Sequence, residues 1–492
     1  MKVDTVLIQP KTGAWDAMSL RVPESLLAVS AIPVKHGYNV IILDQRIEKN
    51  WKEKLESYLK DNPLCVGITS MTGEQLKYAM EIMEFIKSKS NVPIVFGGPH
   101  ATLLPEQSIK HKKIDIIVFG EGDYTFYELL DSLKHKKDLK HIKGIYYKEN
   151  GRVYHTEPRE IVRNLDDLPD YLYSLIDIDK YETFDLNGGK SISMMTSRGC
   201  PHRCKFCVIP VMYPLWRGYS VKKVIEKIKK LQQDYDISNF YFQDDNLGAN
   251  PIRFVELITK LSKIDKKIKW GTLGIRADTI KLLTDEQLEL MYKSGCHDLD
   301  IGVETGSRRV NQFINKGETI ETIIDSNRRL AKFPIKLKYT LIIGFPTETK
   351  QEIIETVNLA LLLQKENLHA YTLLFPFTPI MGTDFFNLAI EYGFKKPQSL
   401  EEWTNIRVDD WLEKYPSWLS KREIIEIEEI GLVSVFANRN VAYKFARPLL
   451  KILLLLYNPI ARFRFKNKFF RFPIELKLRR FVFAIRDKLS KL

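Results

Sequence analysis

Cys200-Pro201-His202-Arg203-Cys204-Lys205-Phe206-Cys207 gathers three of the chain's five cysteines into eight positions, directly after the apolar run at 192–195. The run reads as a strand and the cysteines as the loop that leaves it. Beyond the loop, Val221, Val224, Ile225, Ile228 and Leu231 recur at helical spacing with lysines on the other faces, so strand, loop and helix follow one another. Further strand candidates lie at 240–242, 268–273, 299–303, 337–343 and 371–375. Six such units, repeating at roughly 35 residues, predict a partial (β/α)6 barrel of the TIM type at 186–390, with ligands at the C-terminal ends of its strands.

Working outward, residues 1–140 alternate β-branched runs at 3–8, 40–43, 66–69, 94–96 and 115–119 with helical patterns. All of these runs but that at 40–43 are followed within two residues by Gly, Pro or Ser, as loops at a ligand-binding sheet edge are, which predicts a doubly wound, Rossmann-like α/β domain with a parallel sheet. Residues 141–185 read as a connector containing a hairpin that turns at Asn150-Gly151. Residues 391–492 read as a helical, basic C-terminal region.

The 492 residues are 44% hydrophobic and 28% charged, a composition that excludes disordered and disulfide-scaffold classes. So few cysteines suit a reducing compartment, and the cytoplasm is expected. The net charge of +13 is local: residues 438–492 hold 15 Lys and Arg against two acids, leaving 60 of each sign elsewhere. The start of the chain reads as a short strand broken by Pro10 rather than as a signal peptide. The longest apolar stretch, at 452–457, falls short of the ~20 residues that span a bilayer.

Three thiolates in one loop can hold three irons of a 4Fe-4S cluster and leave the fourth iron open. A zinc site with His202 as fourth ligand, or three ordinary cysteines, are the alternatives. Cys65 and Cys296 read as small core residues.

The spacing of Cys200, Cys204 and Cys207 after the first barrel strand resembles the signature of the radical S-adenosylmethionine (SAM) superfamily. That resemblance implies cluster ligation by the three cysteines and cleavage of SAM to a 5'-deoxyadenosyl radical. It also implies a flavodoxin- or ferredoxin-like electron donor. It assigns Asp244-Asp245 to the SAM amino group, Arg276 to its carboxylate, Glu304 to its ribose, and the loop opening at Gly344 to the adenine side. Opposite charge suits the first two pairings.

In the N-terminal domain, Thr69-Ser70, Gly97-Gly98 and Gly120-Glu121-Gly122 resemble the loops of a cobalamin-binding domain. Small residues there would let a large tail approach the backbone. The Asp-x-His-x-x-Gly loop that supplies a lower axial histidine in many cobalamin proteins is absent near 22–26, and neither His36 nor His100 replaces it in this reading.

The whole pattern, over roughly residues 1–390, resembles the cobalamin-dependent radical SAM enzymes. It implies a C-methyltransferase in which one SAM methylates cobalamin and another yields the radical. A non-methylating radical enzyme that forms a ring or oxidises its substrate, and a membrane-associated sensor without turnover, are the alternatives. The interleaved aromatic and basic residues of 438–492 suit an anionic membrane surface better than nucleic acid, which favours a hydrophobic, lipid or isoprenoid-like substrate.

Overall fold

The computed structural model describes the chain except residues 1, 14–15, 17–19, 182–188, 405, 407–417, 439–447 and 481–492, and except the side chains of 448–451 and 453. Two compact units divide it. One comprises Met1–Arg198, Leu215–Tyr241 and Lys396–Val408, the other Gly199–Pro214, Phe242–Lys395 and Asp409–Leu492.

The first sheet contains β1 (Thr5–Gln9), β2 (Val40–Asp44), β3 (Cys65–Thr69), β4 (Ile94–Gly97), β5 (Ile116–Val118), β6 (Ile145–Glu149) and β7 (Arg152–His155). Its order is β2-β1-β3-β4-β5-β6-β7. The first five strands are parallel, in the doubly wound order 2-1-3-4-5, and the order reverses between β1 and β3. Strand interiors such as Val6, Ile8, Val66, Ile94 and Ile117 are buried, as both faces of a parallel sheet require. The hairpin expected within a connector instead adds two antiparallel strands to this sheet, β6 pairing with β5. The reason is burial on one face only: Ile145 and Tyr147 face the core while β7 is exposed throughout.

The second sheet contains β8 (Ser191–Met194), then, after the two-residue pair β9 (Ser197–Arg198) and β10 (Arg217–Gly218), β11 (Asn239–Phe242), β12 (Lys269–Ile275), β13 (Cys296–Glu304), β14 (Lys336–Ile343) and β15 (Ala370–Pro376). Its order, β15-β14-β13-β12-β11-β8, is sequential and open, the form of a partial barrel. Strong local signals place its helices. Ser220 caps Val221–Tyr235, whose Val221, Val224, Ile228 and Leu231 are buried, and Asp236 ends it in the left-handed region at φ 59°. Thr284 and Thr349 each form a capping box, before Asp285–Lys293 and Lys350–Glu366. Burial of a residue such as Ile228 contributes about 1.5–3 kcal/mol, so these faces dominate local stability.

The C-terminal region is helical, with Lys421–Ala437 and Pro448–Lys466. No helix among the described residues is long and apolar enough to cross a membrane. Of the tail's basic residues, Arg439, Lys444, Arg447, Arg486, Lys488 and Lys491 lie outside the described residues. Cys65 and Cys296 are both buried.

Candidate functional site

In the second unit, backbone bonds hold the cysteine loop in place. Lys205 N donates to Ile314 O at 3.0 Å, Phe385 N to Lys205 O at 3.2 Å, and Cys207 N to Cys204 O at 3.1 Å. Asn315 Nδ2 donates to Arg203 O at 2.9 Å, and the Phe206 ring lies 6.0 Å from Phe345. Cys200, Cys204 and Cys207 are free and partly exposed, so three soft donors share one accessible loop. Burial raises all three thiol pKa values, Cys207 to about 12, while Lys316 and Arg276 draw Cys204 back toward the thiolate. Metal uptake there therefore releases protons. His202 sits on the same loop, with burial and then Arg276 lowering its pKa.

Asp244 and Asp245 follow β11. Asp245 accepts a hydrogen bond from Gly199 N at 3.0 Å, beside the first cysteine. Burial, and then the Asp244 charge, raise its pKa to about 6. A buried carboxylate in this state favours a cationic partner. Gly274 in β12 makes the approach possible: a Cβ there would lie 2.5 Å from Asp244 O and 2.6 Å from Asp245 O. The neighbouring Asn246 amide is buried and lies beside the first cysteine, where it favours the Cys200 thiolate.

Arg276, which follows β12, is already engaged by protein partners. Its Nε and Nη2 grip Asp278 at 2.9 and 2.8 Å, and Nη2 also donates to Lys316 O at 3.0 Å. Nη1 is the guanidinium nitrogen outside those bonds. Glu304 ends β13 past a register shift after Gly302 and adopts φ 69°, a strained region for a residue with a Cβ. Its Oε1 accepts from Lys316 Nζ at 3.1 Å. Lys316 also lies 3.6 Å from Glu318, whose Oε1 has no hydrogen-bond partner among the described residues. Burial opposes the charge on Lys316, yet Glu304 and Glu318 outweigh it and raise its pKa. Lys316 and Glu318 escape sequence reasoning because a Lys-Gly-Glu turn after a short helix reads as solvated charge.

Gly344, at φ 85°, opens the loop after β14. Glu348 Oε2 accepts from Gly344 N at 2.5 Å and Phe345 N at 3.1 Å, and burial raises its pKa to about 8. Trp418 Nε1 donates to Gly344 O at 3.2 Å. The N–H and the C=O of Gly344 are therefore both fixed, and Trp418 had no local signal to reveal it.

In the first unit, the loops after β3, β4 and β5 are tied to one another. Ser70 Oγ donates to Gly97 O at 2.7 Å, and Gly120 N donates to Thr102 Oγ1 at 3.1 Å. Gly98 has φ 90°, and a Cβ there would meet Thr69 Oγ1 at 2.7 Å and Ser70 N at 2.8 Å. Gly120 has φ 76° with nothing within 4 Å of a Cβ, and Gly122 would meet only Val29 and Val118 side chains. These loops present bare backbone at the strand edge, the requirement for close approach of a large ligand. Glu121 is held by protein partners, since Arg217 grips it at 3.0 and 2.8 Å and Val162 N donates to it at 2.9 Å. Beside it, Arg198 forms a two-point pair with Asp123 at 2.8 and 2.9 Å.

His100 is fully buried, with Nδ1 2.9 Å from Thr72 Oγ1 and its ring 5.8 Å from Trp403. Burial lowers its pKa to about 4, which keeps it neutral. Trp403 in turn donates to Gln107 Oε1 at 2.5 Å. His36 is exposed and stacks on Tyr127 at 4.4 Å. The thiol loop, the buried carboxylate with its amide neighbour, and the bare glycine loops fit a cluster, SAM and cobalamin respectively.

Residues 194–360 match the family model of the radical SAM superfamily, and residues 23–130 match that of the B12 binding domain. The chain is 32% identical over 410 residues to an uncharacterized methyltransferase of Pyrococcus horikoshii, a match covering 82% of this chain and 87% of that protein. It is 28% identical over 348 residues to the anaerobic magnesium-protoporphyrin IX monomethyl ester cyclase of Cereibacter sphaeroides, covering 67% of this chain and 54% of that one. The solved structure of the cobalamin-dependent S-adenosylmethionine radical enzyme OxsB with aqua-cobalamin bound shares the fold, with a TM-score of 0.76 at 20% identity over 94% of this chain and 72% of that one.

Proposed function

We propose that this chain, which belongs to the cobalamin-dependent radical SAM enzymes, is a C-methyltransferase acting on an unactivated carbon of a hydrophobic, lipid- or isoprenoid-like substrate. Its cofactors, a 4Fe-4S cluster, SAM and cobalamin, together supply a 5'-deoxyadenosyl radical and a transferable methyl group. Cys200, Cys204 and Cys207 would hold the cluster, and Asp245, backed by Asp244, would receive the SAM ammonium. Arg276, already oriented by Asp278, would face the SAM carboxylate through Nη1. Glu304, aimed by the irregularity in β13 and held by Lys316, would accept from the ribose hydroxyls, and the pinned Gly344 loop would border the adenine. Thr69, Ser70, Gly97, Gly98, Gly120 and Gly122 would line the cobalamin tail. A flavodoxin- or ferredoxin-like protein would deliver the electron.

The observation that carries the methyl-transfer reading is the 32% identity to a methyltransferase across 82% of the chain, with the three cysteines and Asp245 in place. The hydrophobic substrate class rests on the apolar and basic character of residues 438–492. Similarity to the cyclase favours one competitor, a non-methylating reaction with the same cofactors. The test is an oxygen-free assay of the reconstituted protein with SAM, reductant and a lipid extract, quantifying S-adenosylhomocysteine and 5'-deoxyadenosine together. Near-equal, lipid-dependent formation of both supports methylation; deoxyadenosine without substrate-linked S-adenosylhomocysteine moves the assignment to the competitor.

A further inference from the structure

We propose that the outward face of the helix Pro448–Lys466, with the segment that follows it, docks on an anionic lipid bilayer. The inference is independent of the reaction assigned above. This helix is apolar on two sides. Leu454, Ala461 and Phe465 are buried on one side, toward the folded protein. On the other, Ile452, Leu455, Leu456, Ile460 and Phe463 are each 52–70% exposed. Their spacing of three and four residues places them in one stripe along the helix. Phe469 and Phe472 continue the apolar surface, 44% and 55% exposed with their rings 5.6 Å apart. In all, nine of the 22 exposed large apolar side chains among the described residues fall within 452–478. Such clustering marks an interaction face rather than scattered surface apolarity.

The same segment fixes its orientation internally. Arg464 is 3% exposed; its Nη2 lies 2.8 Å from Glu429 on the helix Lys421–Ala437, and its Nη1 pairs with Glu475. Arg479 pairs with Glu428 at 3.0 Å. These pairs tie the segment to Lys421–Ala437 and remove two cations from those available outside. Arg462, Lys466, Lys468 and Arg471 remain exposed, without a carboxylate partner among the described residues.

An apolar stripe bordered by unpaired cations is complementary to acyl chains beneath anionic headgroups. Nucleic acid would use the cations but leave Leu456 and Ile460 in water. A second copy of the chain would bring like charges together around the stripe. The helix therefore lies on a membrane surface and does not cross it.

The test is flotation of the full-length, cofactor-loaded protein with vesicles of phosphatidylcholine alone or mixed with phosphatidylglycerol. Binding is expected to the mixed vesicles and to weaken with salt. Leu456→Asp with Phe463→Asp lowers the partition coefficient at least about tenfold by placing charge in the acyl boundary. Lys466→Gln, Lys468→Gln and Arg471→Gln together lower it about tenfold or more and flatten the salt dependence. All of these side chains are exposed, so unchanged thermal midpoints are expected to separate docking from folding. Wild-type protein that stays with the unbound fraction overturns the proposal, as do variants that float like the wild type. A dimer that the Leu456→Asp, Phe463→Asp variant converts to monomer, with vesicle binding unaltered, also overturns it and assigns the face to self-association.

Discussion

Replacing Lys316 by methionine removes one of two cations from a set of five charges, four of them buried and Asp278 partly exposed. Lys316 Nζ lies 3.1 Å from Glu304 and 3.6 Å from Glu318, while Arg276 lies 3.7 Å from Glu318 and 2.8 Å from Asp278. The Lys316 and Glu318 side chains are 6% and 0% exposed, so water cannot replace the lost charge. Methionine fills much of the volume, which leaves the undercompensated carboxylates, Glu304 without Lys316 and Glu318 with Arg276 alone, as the dominant cost, about 3–5 kcal/mol. That cost has a definite pH sign. Burial already raises the Glu318 pKa, opposed by Lys316 and Arg276, so deleting Lys316 raises it further. A carboxyl whose folded pKa exceeds its unfolded value destabilises most at high pH, and the penalty fades as pH falls toward the ordinary value of 4.5. Denaturant unfolding of the cofactor-free protein at about pH 6 and about pH 8.5 should show a larger loss at the higher pH. Adding Glu318→Gln to the variant should recover about half of it by removing the buried carboxylate that Lys316 no longer neutralises. A loss equal at both pH values, with no recovery in the double variant, would refute the electrostatic argument.

Gly274→Ala should weaken SAM binding about tenfold or more while iron content stays constant, because its Cβ meets the backbone oxygens of Asp244 and Asp245; equilibrium binding to the reconstituted protein measures both. Gly98→Ala combines a left-handed φ with a 2.8 Å approach to Ser70 N, and cobalamin titration should show a comparable loss of affinity with SAM cleavage retained. Arg198→Met strands the buried Asp123 carboxylate and should cost about 3–5 kcal/mol, much of it restored by adding Asp123→Leu, as read by unfolding midpoints. Cys200→Ala, Cys204→Ala and Cys207→Ala together should abolish iron binding and SAM cleavage; iron assay and deoxyadenosine release are the readouts.

Much of this protein is local and was therefore legible in its residues. A strand's period and a helix's apolar spacing depend on neighbours a few positions away, so the two βα series and the helical C-terminal region follow from the sequence. The three cysteines fall within eight positions, and Asp245, Arg276, Glu304 and Gly344 each follow or end a strand, so their position at one barrel edge follows from topology. What tertiary structure decided is which distant groups share a dry space. The hairpin β6–β7 could become a sheet edge only once β5 was there to accept it. In the second unit Lys316 gained its role because Glu304 and Glu318 surround it where water is excluded; within the first unit, Trp403 closes on His100 from 303 residues away. The basic tail divided in the same manner. Arg464 was drawn inside by Glu429 and Glu475, while Arg462 and Lys466 on the same helix remained in solvent. Composition counts charges and periodicity places faces, but the desolvation and pairing that give a charge its role depend on residues brought together across the fold.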